Sequence, residues 1–127
     1  MEKILNLTQH QATEEQVAAG VVDLDPALKA DVVGMLTFRE IPTYMELRQR
    51  AEAIADIAKE LGYTYAMIGG APYFMAPLEC ALGWRGIIPL YAFSVRESVE
   101  ETTPDGSVRK VNVFRHKGFV GGIAGNV

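Results

Sequence analysis

His10 and His116 are the only imidazoles in the chain, and each follows a strand-like run beside another polar group. The run Ile4-Leu5-Asn6-Leu7 passes directly into Thr8, Gln9 and His10. An apolar stretch thus ends in a hydroxyl, an amide and a titratable ring. Imidazole is the usual proton carrier near neutral pH, with an unperturbed pKa of about 6.5. A strand end needs no such cluster, whereas a ligand site at the carboxyl edge of a sheet does. The alternative for His10 is a loop histidine that bonds a carbonyl. For His116, preceded by Arg115, the alternative is an outward-facing strand histidine.

Four further residues fit the same chemistry. The Gly69–Gly70 pair follows a strand-like run and precedes a helix-like one, so backbone N–H groups there could approach a phosphate or a base. It is equally a tight turn. Ser94 and Arg96 stand two apart and share one face of a strand, with Glu97 on the other. A serine beside an arginine suits an oxyanion or phosphate, and the alternative is an exposed arginine paired with Glu97 or Glu100. Thr13 and Gln16 have the spacing of a capping box, which leaves Thr13 as a cap first and a ligand contact second. No GxGxxG or Walker A pattern supports a dinucleotide or NTPase site. With no HxH, HxxE or CxxC spacing, neither a metal nor a cofactor is expected. Cys80, near Leu78 and Leu82, is expected in the core, as are Tyr44, Phe74 and Trp84.

The elements that must position these residues are legible in outline. Residues 3–9 predict a first strand and 13–20 a short helix stopped by Gly20. Residues 25–36 predict a second helix, with Asp25 as N-cap and Pro26 at the first position; Val32 and Val33 leave a strand open there. The span 41–62 is the clearest helix, with a Thr43/Glu46 capping box and an apolar face of Leu47, Ala51, Ile54, Ala58 and Leu61. Residues 63–70 predict a strand and 72–83 a helix that Pro77 should kink or shorten. Residues 86–101 predict a long strand, with Pro89 at an edge or bulge. A turn at 103–107 returns the chain as a strand over 108–120, and the last six residues are expected to fray. This alternation describes one three-layer α/β domain over 1–127, mostly parallel, with a C-terminal antiparallel β-hairpin. Ligands in such sheets bind beyond the carboxyl ends of the parallel strands.

Composition narrows the function. The 127 residues are 49% hydrophobic and 22% charged, within the globular range. No apolar run approaches the roughly 20 residues of a membrane helix, and the start lacks a basic segment with a long apolar stretch. A single cysteine fits a reducing cytoplasm. The net charge of −4 argues against long nucleic acid as a partner. The charge is uneven: Arg109, Lys110, Arg115 and Lys117 follow Gly106 with no acid among them. That is enough base for a small phosphorylated ligand.

The opening Asn6-Leu7-Thr8-Gln9-His10 with Ala12, Thr13 and Gln16, the turn at Met67-Ile68-Gly69-Gly70, and the hairpin from Tyr91 to Lys110 together resemble the small CRISPR-associated ring nucleases and their relatives on phages and plasmids. The resemblance touches about half the chain and skips 25–61. It implies a Rossmann-like homodimer that binds cyclic oligoadenylate, the messenger of type III CRISPR defence, and linearises it without metal, as host defence or as an anti-CRISPR. It implies that Thr8, Gln9 and His10 face the scissile ribose–phosphate and that Gly69 and Gly70 cradle the ligand. Ser94 and Arg96 would contact phosphate; Arg115 and His116 have a less definite counterpart. Two other readings remain open: a nucleotide-binding module that senses or sequesters without cutting, and an interaction protein whose polar cluster is structural.

Overall fold

Three-residue strands carry most of the parallel sheet, and their alternation decides which helix each side chain meets. The computed structural model describes residues 2–121. In chain order the elements are β1 (Ile4–Asn6), α1 (Glu14–Ala18), β2 (Val21–Asp23), α2 (Pro26–Leu36), α3 (Tyr44–Glu60), β3 (Tyr65–Met67), α4 (Pro72–Trp84), β4 (Ile88–Thr102) and β5 (Val108–Gly121). They form one five-stranded sheet in the order β2-β1-β3-β4-β5, parallel except for the final β4–β5 pair.

Each face of the sheet has its own core. Leu5, Ala66 and Ile68 pack with Val32, Ile54, Phe74 and Leu78 from the three longer helices. Ile4, Met67, Leu90 and Phe119 form a second cluster on the other face, joined by Ala12 and Ala19 from around α1. The layering is therefore the expected one: helices α2 to α4, the sheet, then the short helix α1.

The caps explain the helix starts. Thr13 and Gln16 make both bonds of a capping box, and Asp25 accepts from the Leu28 N–H with Pro26 behind it. Thr43 accepts from the Glu46 N–H, but Glu46 turns to Arg50 at 2.7 Å, so this cap is one-sided.

Five expectations need correction. The first strand ends at Asn6 and not at residue 9, because the Asn6 side chain captures the Thr8 N–H at 2.9 Å and turns the chain. A fifth strand, β2, pairs with β1 where the sequence predicts a connection; three residues are too few for a period to register. The helix expected over 25–36 is borne out as Pro26–Leu36 with Asp25 as its N-cap. Helix α4 runs from Pro72 through Pro77, which removes one ladder bond near its start. Cys80 is exposed: it lies about 200° around the helix from Leu78 and from Leu82. Phe74 is fully buried as expected, whereas Tyr44 and Trp84 are 71% and 84% exposed.

Pro89 fits an edge-like position. Its flanking residues face β3, since the Ile88 N–H meets the Thr64 carbonyl and the Leu90 carbonyl accepts from Ile68. Pairing with β5 starts at Leu90, so the missing N–H of Pro89 costs no described bond. No helix of the described residues is long and apolar enough to cross a membrane. The expectation of fraying at 122–127 falls outside the described residues.

Candidate functional site

Beyond the carboxyl ends of β1 and β3, beside Tyr91 and Ala92 of β4, lies a cleft of about 550 Å³. Residues 8–11 with Thr13 and Gln16 form one wall, Met67 to Gly70 the second, and Tyr91 and Ala92 the third. The fold thus brings together Thr8, Gln9, His10, Thr13, Gly69 and Gly70, stretches up to about sixty residues apart in the chain. The volume suits a small molecule or part of a larger one.

The wall that carries His10 is held from beneath by Asn6, the one buried polar residue of the described chain, at 0% exposure. Its amide nitrogen donates to the His10 carbonyl and to the Asp23 carboxylate, both at 2.7 Å. Its oxygen accepts from the Thr8 N–H at 2.9 Å and the Thr8 hydroxyl at 2.7 Å. Two donors and two lone pairs are all used, which removes the cost of burying the group. Asp23 also accepts from the Ala12 N–H at 3.1 Å. The Lys29 ammonium donates to the Thr8 and His10 carbonyls, each at 2.7 Å. Burial pushes the Lys29 amine below the usual lysine range, and the Asp23 carboxylate offsets part of that. Asn6, Asp23 and Lys29 are the positioning residues that sequence reasoning missed.

What remains free on this wall is the chemistry. The His10 side chain is exposed and its imidazole makes no hydrogen bond among the described residues, although its backbone is pinned at both N–H and C=O. Thr8 has a local role: its hydroxyl proton points to Asn6. Gln9 reaches the Leu36 carbonyl at 3.4 Å with its amide nitrogen, leaving its oxygen open. Thr13 Oγ1 accepts the cap bond from Gln16 and keeps its own proton to donate.

Beside this wall stands the glycine turn, where a Cβ on Gly69 would lie 3.7 Å from the Thr8 methyl. The Gly69 and Gly70 N–H groups form no hydrogen bond among the described residues. Gly70 has φ of 148°, which a side-chain-bearing residue rarely adopts, although a Cβ there would meet Met75 only at 3.6 Å. Backbone conformation, not space, asks for glycine. Tyr91, which the sequence did not single out, closes the third wall. Its hydroxyl donates to Glu79 at 2.7 Å. Burial, then that bond and the Glu79 charge, push its pKa well above the tyrosine range, so the phenol keeps its proton.

The remaining candidates stand elsewhere. Ser94, Arg96, Arg115 and His116 do not line the cleft; they sit on the β4–β5 ribbon beyond Ala92. Ser94 pairs with His116 and Arg96 with Phe114, and the Arg96 guanidinium lies 5.7 Å from the Phe114 ring centre. Arg115 points to the opposite face, where it meets Glu97 at 3.4 Å. His116 packs edge-on against Phe119 at 4.8 Å, with both ring nitrogens buried and without a hydrogen-bond partner among the described residues. The ion-pair alternative raised for Arg96 therefore applies to Arg115.

A family model described as the uncharacterized protein MJ1673 family matches residues 2–120, and the chain belongs to that family. No curated protein and no solved structure matches the chain.

Proposed function

We propose that this member of the MJ1673 family is a ring nuclease: as a homodimer it binds cyclic oligoadenylate in the cleft and linearises it without a metal ion. The observation that carries the reading is the His10 imidazole, free of hydrogen bonds among the described residues on a backbone fixed by Asn6 and Lys29, lining one cleft with glycine amides that are also unbonded among the described residues. Such a site offers one mobile proton and neutral donors for an anion. That is what an internal transesterification requires.

In the reaction the ribose 2′-oxygen attacks the adjacent phosphorus and the bond from phosphorus to the 5′-oxygen breaks. The 2′-hydroxyl proton leaves to solvent, and His10 donates a proton to the departing 5′-oxygen. The nucleophile belongs to the substrate, so the protein's tasks are alignment, proton delivery and charge stabilisation. Alignment can supply several kcal/mol of the barrier, and a positioned acid about 10²–10⁴-fold. The Gly69 and Gly70 amides face the developing phosphorane charge. Thr8 and Gln9 hold the loop and the ribose side, while the Tyr91 ring offers a flat wall for a base.

Incubation with cyclic oligoadenylates of several ring sizes, followed by chromatography, tests the reading. Linear products ending in a 2′,3′-cyclic phosphate and a 5′-hydroxyl are expected. A ring bound but returned intact would make the cleft a sequestering or sensing site.

A further inference from the structure

None of the cleft's lining residues is a lysine or arginine, and the nearest ammonium, Lys29, is committed to two carbonyls. A polyphosphate ring bound there would need cations from elsewhere. On the β4–β5 ribbon two cations are in no ion pair among the described residues: Lys110, opposite Glu100 toward the hairpin tip, and Arg96, nearer the cleft. Arg109 pairs with Glu101 at 3.0 Å, while Arg115 and Lys117 share Glu97. These contacts lie on the face of Val95, Val99, Val111 and Val113, which are half-buried. The other face continues from the cleft residue Ala92 through Ser94 to Arg96 and bears Phe114, 65% exposed. On it Arg96 has no acidic partner among the described residues.

Arg96 does not line its own cleft. It stands four residues beyond Ala92, about 13 Å along the strand, and its guanidinium lies back on Phe114 of the same ribbon. The ribbon itself passes the last β3 partner, Leu90, and runs on to Thr102, about 40 Å further. A bulge between Phe93 and Ser94 re-aims it as it leaves the body. A two-stranded ribbon of this kind is marginal in water by itself, and the Arg96 face exposes Phe114 for a partner to cover. Residues 93–118 carry five bases and four acids, whereas the rest of the chain carries seven bases and twelve acids. A net-positive arm complements a net-acidic body.

We propose that the ribbon acts in trans: in a two-fold dimer each ribbon lies over the body of the second copy and delivers Arg96 to a phosphate in that copy's cleft. The proposal rests on the cleft's reading as a cyclic oligoadenylate site and names what completes it. A two-fold arrangement presents both arms to both clefts at once.

Two measurements test it. Mixing His10→Ala protein with Arg96→Glu protein, after subunit exchange, should restore cleavage to about a quarter of the unaltered rate, because half of the dimers are mixed and each mixed dimer holds one intact pair. Absence of any restoration, with each variant folded and exchanging, would place Arg96 in cis and overturn the arm. The second measurement does not depend on cleavage. In a Cys80→Ser background, a tagged chain with Arg96→Cys and an untagged chain with Gln11→Cys are oxidised together. A disulfide between the two chains is expected, and its absence would overturn the proposal. If the unaltered protein cuts no cyclic oligoadenylate, the functional reading fails and this crosslink alone decides the arm.

Discussion

The Asn6 side-chain amide donates to the Asp23 carboxylate at 2.7 Å, joining two residues that are also register partners between β1 and β2. The same amide nitrogen reaches the His10 carbonyl, so the strand pairing and the loop share one group. Asn6→Ala should lower stability by about 1–3 kcal/mol, the cost of leaving buried partners unpaired. Asn6→Asp should be worse at neutral pH, because it removes both donors and faces a carboxylate. Acidification toward about pH 4, where carboxylates take up protons, should narrow that gap. Denaturant melts of the two variants across pH check the order.

Lys29 fastens the Thr8 and His10 carbonyls from the α2 side. Lys29→Met should leave the fold within about 1–2 kcal/mol of the original and slow cleavage more than it weakens binding, since the loop loses its fixed position. The sign of the pH effect follows from the lowered pKa. Between the lowered value and the ordinary lysine range the unfolded chain holds more protons than the folded one. Stability through this group therefore rises with pH across that window. The original's stability relative to Lys29→Met should grow as pH rises toward about 10, as thermal melts would reveal.

His116 is the internal control. Its ring nitrogens are buried without partners among the described residues, and its ring packs on Phe119. His116→Phe keeps the shape and removes the unpaired polar group, so the melting temperature should hold or rise. The cleavage rate should be unchanged. A large loss of rate at constant stability would move the acid role from His10 to His116.

Cleavage should also survive a chelator, since the proposed nucleophile is the substrate's own 2′-hydroxyl. Loss of activity in EDTA, restored by a divalent ion, would overturn the metal-independent mechanism. Product formation in chelator-treated and untreated samples gives the comparison directly.

The sequence made the edge of the site visible because polarity changes abruptly there. Thr8, Gln9 and His10 interrupt an apolar run, and Gly69–Gly70 interrupt another, so both ends of the cleft showed at the level of residue type. Asn6 did not, since an asparagine inside an apolar run carries no mark of its four bonds until Asp23 and Thr8 are placed around it. Strand β2 is three residues long and left no period. The long hairpin was legible from its turn and alternation, but not its projection: that follows from β3 stopping at Met67 while β4 runs on to Thr102. Cys80 misled because nearness to Leu78 and Leu82 in sequence is not nearness on a helix face.

The most direct measurement of the central claim is single-turnover cleavage of a cyclic oligoadenylate by His10→Ala. His10 is exposed at the cleft with a free imidazole and contributes little packing, so the melting temperature should hold. Binding should stay within a few-fold, and the cleavage rate should fall by about 10²–10⁴-fold. A variant that melts, binds and cleaves like the original would contradict the assignment of His10 as the proton donor, and with it the mechanism built on this cleft.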